Sequence, residues 1–82
     1  MYFVYILKSQ KIDRNYIGQT KNITKRIYLH NSGQVKSTKG YAPWKIVCII
    51  EKTTRSEAMI LEKKLKNLNR LRIDEFIKKY SH

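Results

Sequence analysis

Apolar residues recur along this chain in two rhythms. Tyr2, Phe3, Val4, Tyr5, Ile6 and Leu7 form an aromatic and β-branched run, the composition of a strand covered on both faces. Residues 8–14 are largely polar and lack Gly and Pro, which predicts a hairpin loop longer than a two-residue turn. The extended pattern resumes at Tyr16-Ile17-Gly18-Gln19-Thr20. A glycine inside a strand gives up packing and rigidity, so Gly18 is expected where another backbone or a ligand comes close. Asn22 suits an N-cap, Ile23, Ile27 and His30 or Asn31 follow at helical spacing, and Gly33 stands where a left-handed stop belongs. The spacing predicts a helix over 23–31. Residues 32–43 hold two Gly and one Pro and read as a basic loop. Ile46-Val47-Cys48-Ile49-Ile50 is the clearest candidate for a buried strand, within 44–51. Thr54-Arg55-Ser56-Glu57 fits a capping box. Ala58, Leu61, Leu65 and Leu68 make a core-facing stripe behind it, flanked by Lys63, Lys64 and Lys66. Ile73, Phe76, Ile77 and Tyr80 predict a last helix over 72–80. The order strand, strand, helix, strand, helix, helix, with no repeat or linker, indicates one α/β (α+β) domain spanning 1–82.

Composition narrows the class. A chain of 82 residues buries roughly 60–65% of its unfolded surface, enough for one small core. Lys and Arg number 18 against 6 Asp and Glu, a net charge of +12, and this excess calls for an anionic partner. One cysteine and two histidines supply neither an internal disulfide nor a structural zinc site. No apolar run approaches the roughly 18 residues that cross a bilayer. Residues 2–7 lack the basic flank and cleavage site of a secretory signal, so a cytoplasmic setting is expected. Membrane-surface binding needs a basic face opposed to a broad apolar one, whereas here the charge is spread over every segment. Nucleic acid is the better anion.

Several residues have the chemistry for a site, and each also has an ordinary explanation. Glu62 falls at the edge of the Ala58/Leu61/Leu65/Leu68 stripe, about 80° from its centre, where a carboxylate is partly desolvated. It is also four residues from Lys66, the spacing of a surface ion pair. Arg26 and His30 share one helix face and could reach one target, or be merely solvated. Tyr5 and Tyr16 lie on adjacent strands, where tyrosines are common core formers. Lys36-Ser37-Thr38-Lys39-Gly40-Tyr41 mixes cations, hydroxyls and a ring, as phosphate and base contact surfaces do. Glu57 is assigned to the cap, and His82 is expected to fray.

Their order along the chain resembles the GIY-YIG nuclease family, and its small single-domain bacterial members in particular. Phe3-Val4-Tyr5 stands in the place of the first triplet and Tyr16-Ile17-Gly18 matches the second. The match continues through Arg26, His30, Asn31-Ser32-Gly33, Thr38-Lys39-Gly40, Pro43-Trp44 and Glu57-Ala58, with Glu62 and Lys66. The GIY-YIG domain of the bacterial excision-repair incision nuclease is similar. Two positions depart from the pattern: Phe3 replaces a glycine, and Gln19 stands where several catalytic relatives have lysine.

The resemblance implies a three-stranded antiparallel sheet flanked by helices, one divalent ion (Mg²⁺ or Mn²⁺) held by Glu62, and hydrolysis of nucleic-acid phosphodiesters. Tyr16 would activate the attacking water, with Tyr5 beside it. Arg26 would hold the scissile phosphate, and His30 would assist proton movement or touch the phosphate. Gly18 would leave room for the substrate backbone. A phosphate-directed surface is expected from Lys21, Lys25, Lys36, Thr38, Lys39 and Lys45, acting on DNA in preference to RNA, with the protein a monomer. No appended recognition domain is expected, which points to structure-dependent cleavage in DNA repair or processing. The competing readings are a nucleic-acid-binding module without useful catalysis and a ribosome-associated basic protein.

Overall fold

Val4, Tyr5, Ile6 and Leu7 are consecutive and all buried, which in a strand requires cover on both faces. In the computed structural model, which describes residues 1–80, they lie on β1 (Tyr2–Ser9), the centre of a three-stranded antiparallel sheet. β2 (Asn15–Thr20) and β3 (Trp44–Lys52) flank it in the order β2-β1-β3. The other elements are α1 (Ile23–Asn31), α2 (Arg55–Lys66) and α3 (Arg70–Tyr80), with one 3₁₀ turn at Lys39–Tyr41 between α1 and β3. This is the expected α+β order. The expectation for His82 lies outside the described residues.

Alternation along β1 sends its side chains into two separate cores. Val4 and Ile6 pack with Cys48, Ala58, Leu65 and Ile73, beneath α2 and α3. Tyr5 and Leu7 pack with Trp44 and the partly buried Tyr16, Ile23 and Ile27, beneath α1. Each fully buried aliphatic side chain of this kind contributes about 1.5–3 kcal/mol of transfer free energy.

Local signals set the helix ends. The Asn22 side chain accepts from the Lys25 amide and starts α1. Gly33, at φ +78°, ends it: its N–H donates to the His30 carbonyl, and that of Gln34 to the Leu29 carbonyl at 3.1 Å, a Schellman closure. The capping box forms as expected, Thr54 accepting from the Glu57 amide while the Glu57 carboxylate accepts from the Thr54 amide. α3 begins two residues before the expected 72, because the Asn69 side chain accepts from the Arg72 amide at 3.0 Å and caps it.

One expectation is corrected. β3 is an outer strand, not a fully covered one: Trp44 and Cys48 are buried, but Ile49 is 40% exposed. Ile49 stands opposite Tyr5, outside the cluster that α1 closes.

Candidate active site

Register and helix geometry bring four of the anticipated side chains into direct contact. Tyr5 pairs across the sheet with Gly18, and Leu7 with Tyr16, so Tyr5, Tyr16 and Gly18 share the face that α1 covers. On α1, Arg26 and His30 are one turn apart and point at the same place. The Tyr5 hydroxyl lies 3.0 Å from His30 Nε2, and Arg26 Nε donates to it at 3.3 Å. The His30 ring packs against Tyr16, centroids 4.9 Å apart, and meets Tyr5 edge-on.

His30 and Tyr5 are fully enclosed, at 0% and 1% exposure. Buried polar groups require partners, and here each has one. The far nitrogen of His30, Nδ1, lies 2.8 Å from Thr38 Oγ1, and the Thr38 hydroxyl donates to the Val35 carbonyl. Those partners place the imidazole proton on Nδ1, so that Nε2 accepts from Tyr5 and the Tyr5 oxygen accepts from Arg26. Burial, and then the nearby Arg26 charge, lower the His30 pKa to about 4, so the ring is neutral at pH 7. Burial also raises the Tyr5 pKa above its ordinary value, although Arg26 opposes this. Tyr5 therefore keeps its proton at neutral pH. The Arg26 pKa is raised, chiefly by its bond to Tyr5, which secures its charge.

Two expected contact residues turn out to be internal. Gly18 is buried, and the space that its missing side chain leaves is filled from within: a Cβ there would lie 2.6 Å from the Tyr5 hydroxyl oxygen and 3.1 Å from the Tyr16 ring. It makes room for Tyr5 rather than for a substrate. Thr38 is 1% exposed and committed to His30, so its side chain is no surface contact. The enclosure of His30 likewise leaves it unable to touch a phosphate directly. Lys21, Lys25, Lys36, Lys39 and Lys45 are all exposed.

Glu62 approaches from the other side. Gln19 follows Gly18 and so faces α2, where its Nε2 donates to Glu62 Oε1 at 2.9 Å. Lys66 Nζ lies 2.8 Å from Glu62 Oε2, so the anticipated ion pair with Lys66 is present. The Glu62 charge is nonetheless felt by Tyr5, whose pKa it helps to raise. Its side chain is 18% exposed while that of Lys66 is 54% exposed, so the lysine can leave at small cost. Among the described residues no group of three or more His, Cys, Asp and Glu forms a metal cage. The donor set fits a hard ion held by one carboxylate, retained waters and substrate phosphate, as Mg²⁺ is commonly bound.

Sequence reasoning missed two residues of this arrangement, Gln19 as the partner of Glu62 and Thr38 as the partner of His30. The parity of Gln19 with Ile17 on β2 was the available signal for the first. Nothing local announced the second, since Thr38 returns to His30 only because the Schellman closure reverses the chain.

Comparison with known proteins bears on the fold of the whole chain. A family model described as the GIY-YIG catalytic domain matches residues 1–79. The chain is 34% identical over 80 residues to UPF0213 protein OB0043 of Oceanobacillus iheyensis, covering 92% of this chain and 91% of that protein. It is 41% identical over 71 residues to UPF0213 protein CPE1444 of Clostridium perfringens, covering 85% and 75%. The solution NMR structure of UPF0213 protein BH0048 from Bacillus halodurans superposes with a TM-score of 0.62 at 31% identity, covering 95% of this chain and 84% of that one.

Proposed function

The chain belongs to the GIY-YIG catalytic-domain family, in general a family of nucleases, and from that premise we propose that it is a divalent-metal-dependent nuclease that hydrolyses phosphodiester bonds of DNA. The observation that carries this reading is the Tyr5 hydroxyl, held between Arg26 at 3.3 Å and His30 at 3.0 Å under the partly exposed Tyr16. A core does not need such a chain for stability, since apolar replacements pack as well without the desolvation cost. It does fix the position and charge of a guanidinium.

In this reading Arg26 grips the scissile phosphate with the Nη end of its fork and offsets charge in the transition state. Tyr16, the less enclosed of the two tyrosines, contacts the attacking water. Tyr5 stays protonated and holds Arg26, while His30 keeps Tyr5 in place. Glu62, aimed by Gln19, would hold the ion, which supplies Lewis-acid polarisation of the phosphoryl group when bound. The exposed lysines provide phosphate attraction that weakens steeply with salt. A role in DNA repair or processing follows if cleavage depends on structure rather than sequence.

Incubation of nicked, branched and single-stranded DNA with Mg²⁺ or Mn²⁺ tests the proposal. Wild type should cleave, and Glu62→Ala should lose about 10²–10³-fold in rate; equal product from both removes the enzymatic reading. A basic binding module without catalysis is the competing reading, favoured by the engagement of both Glu62 oxygens by Gln19 and Lys66. Unchanged Mn²⁺ affinity, measured by water-proton relaxation, in Glu62→Ala would support that module.

A further inference from the structure

Met59, Glu62, Lys63 and Lys66 fall at i, i+3, i+4 and i+7 on one face of α2. Together with Ile60 and Gln19 they line an open groove of about 570 Å³, a size suited to a small ligand or a single nucleotide. Folding does not explain the apolar pair in it. Ala58 and Leu65 are the residues that α2 buries in the core, whereas Met59 and Ile60 are 51% and 69% exposed. Two large apolar side chains thus stand in water beside Glu62 with two lysines next to them. On the other side of Gln19, a second groove of about 390 Å³ repeats the theme with Tyr2, Lys21 and Arg55. There the Lys21 ammonium lies 5.2 Å from the centre of the Tyr2 ring.

A polynucleotide strand alternates anionic phosphates with flat apolar base faces, and these grooves offer the complement of both. In a duplex the base faces are hidden in the stack, so only an unpaired nucleotide can use the apolar surface. We propose that Met59 and Ile60 receive the base of an unpaired nucleotide whose neighbouring phosphate lies against the ion that Glu62 would hold, and that single-stranded nucleic acid is the preferred ligand. This rests on the nuclease reading only in placing a phosphate-binding divalent ion at Glu62.

The test reads binding with cleavage suppressed by Ca²⁺. Fluorescence anisotropy compares a short labelled DNA strand with its own duplex, on wild type and on the double variant Met59→Ser, Ile60→Ser. Wild type should prefer the single strand by about tenfold, and the double variant should lose that preference without weakening on duplex. An unchanged preference in the variant, equal losses on both ligands, or a wild type that favours duplex would overturn the proposal. So would light scattering that finds a wild-type dimer and a monomeric variant, because the apolar pair would then be covered by a second copy. Both side chains are exposed, so the variant should melt with wild type. Failure of the nuclease reading looks different: cleavage indifferent to Glu62→Ala, with the strand preference intact.

Discussion

The two sides of β2 handle polar side chains in opposite ways. Beneath α1, Arg26, Tyr5, His30 and Thr38 form a chain of hydrogen bonds whose last three members are sealed from water. Around the strand edge, Gln19, Glu62 and Lys66 form a shorter chain along an open groove. Bonds in a dry environment are strong, and leaving one partner single there is costly. The first group is therefore built to hold still. An exposed ion pair exchanges readily with water and ions, so the second is built to let something in. A reaction needing both a fixed cation and a replaceable ligand is served by placing them on opposite sides of one strand.

Substitutions can break or sharpen this contrast. The largest effect is expected from Arg26→Ala, which should slow single-turnover cleavage by about 10²–10³-fold while leaving Mn²⁺ affinity unchanged. Arg26→Lys should restore little, since an ammonium cannot hold Tyr5 and a phosphate as a fork does.

Acid should act on the sealed side. The His30 pKa is about 4 in the folded protein, lowered by burial and then by Arg26, against an ordinary 6.5. As pH falls the unfolded chain takes up the proton first. The contribution of His30 is therefore whole above pH 6.5, fades between 6.5 and about 4, and is gone below, a loss of at most about 3 kcal/mol. Urea denaturation across this range should show a shallower decline in His30→Gln. Parallel declines would mean that the histidine is not sealed.

Gly18→Ala probes the packing of the same side. A Cβ within 2.8 Å of Tyr5 Cζ must displace a ring that is fixed at its hydroxyl, for a destabilisation of about 1–3 kcal/mol in denaturant titrations. The smallest effect is expected at the open edge, where Lys66→Ala should change stability by no more than about 0.5 kcal/mol. A loss as large as that of Gly18→Ala would erase the distinction between the two sides.

What could be read from sequence follows the same division. Signals confined to a few neighbouring residues were legible: the Gly33 stop, the Thr54/Glu57 box, and the stripe that seats α2 with Glu62 at its edge. The order of motif residues announced Tyr5, Tyr16, Arg26 and His30 as a group, and the fold brings these four together. Facts that depend on which strand lies opposite which were not legible. The neighbour of Gly18 is decided by pairing with Tyr5, and the cover over Ile49 by how far α1 reaches across the sheet. Likewise, five apolar residues in a row did not reveal that β3 is an edge.

The fit of the Tyr5 phenol over Gly18 also bears on how the hairpin finds its alignment. Sliding β2 by one position would turn its faces inside out. Sliding it by two would keep the faces but set Tyr16 or Thr20 where the phenol must lie, and neither leaves that hollow. Only one alignment admits the ring, and it is the same one that carries Tyr16 to His30 and Gln19 to Glu62. A hairpin zipped wrongly thus cannot assemble half of this cluster: correct pairing and the gathering of its side chains arrive together.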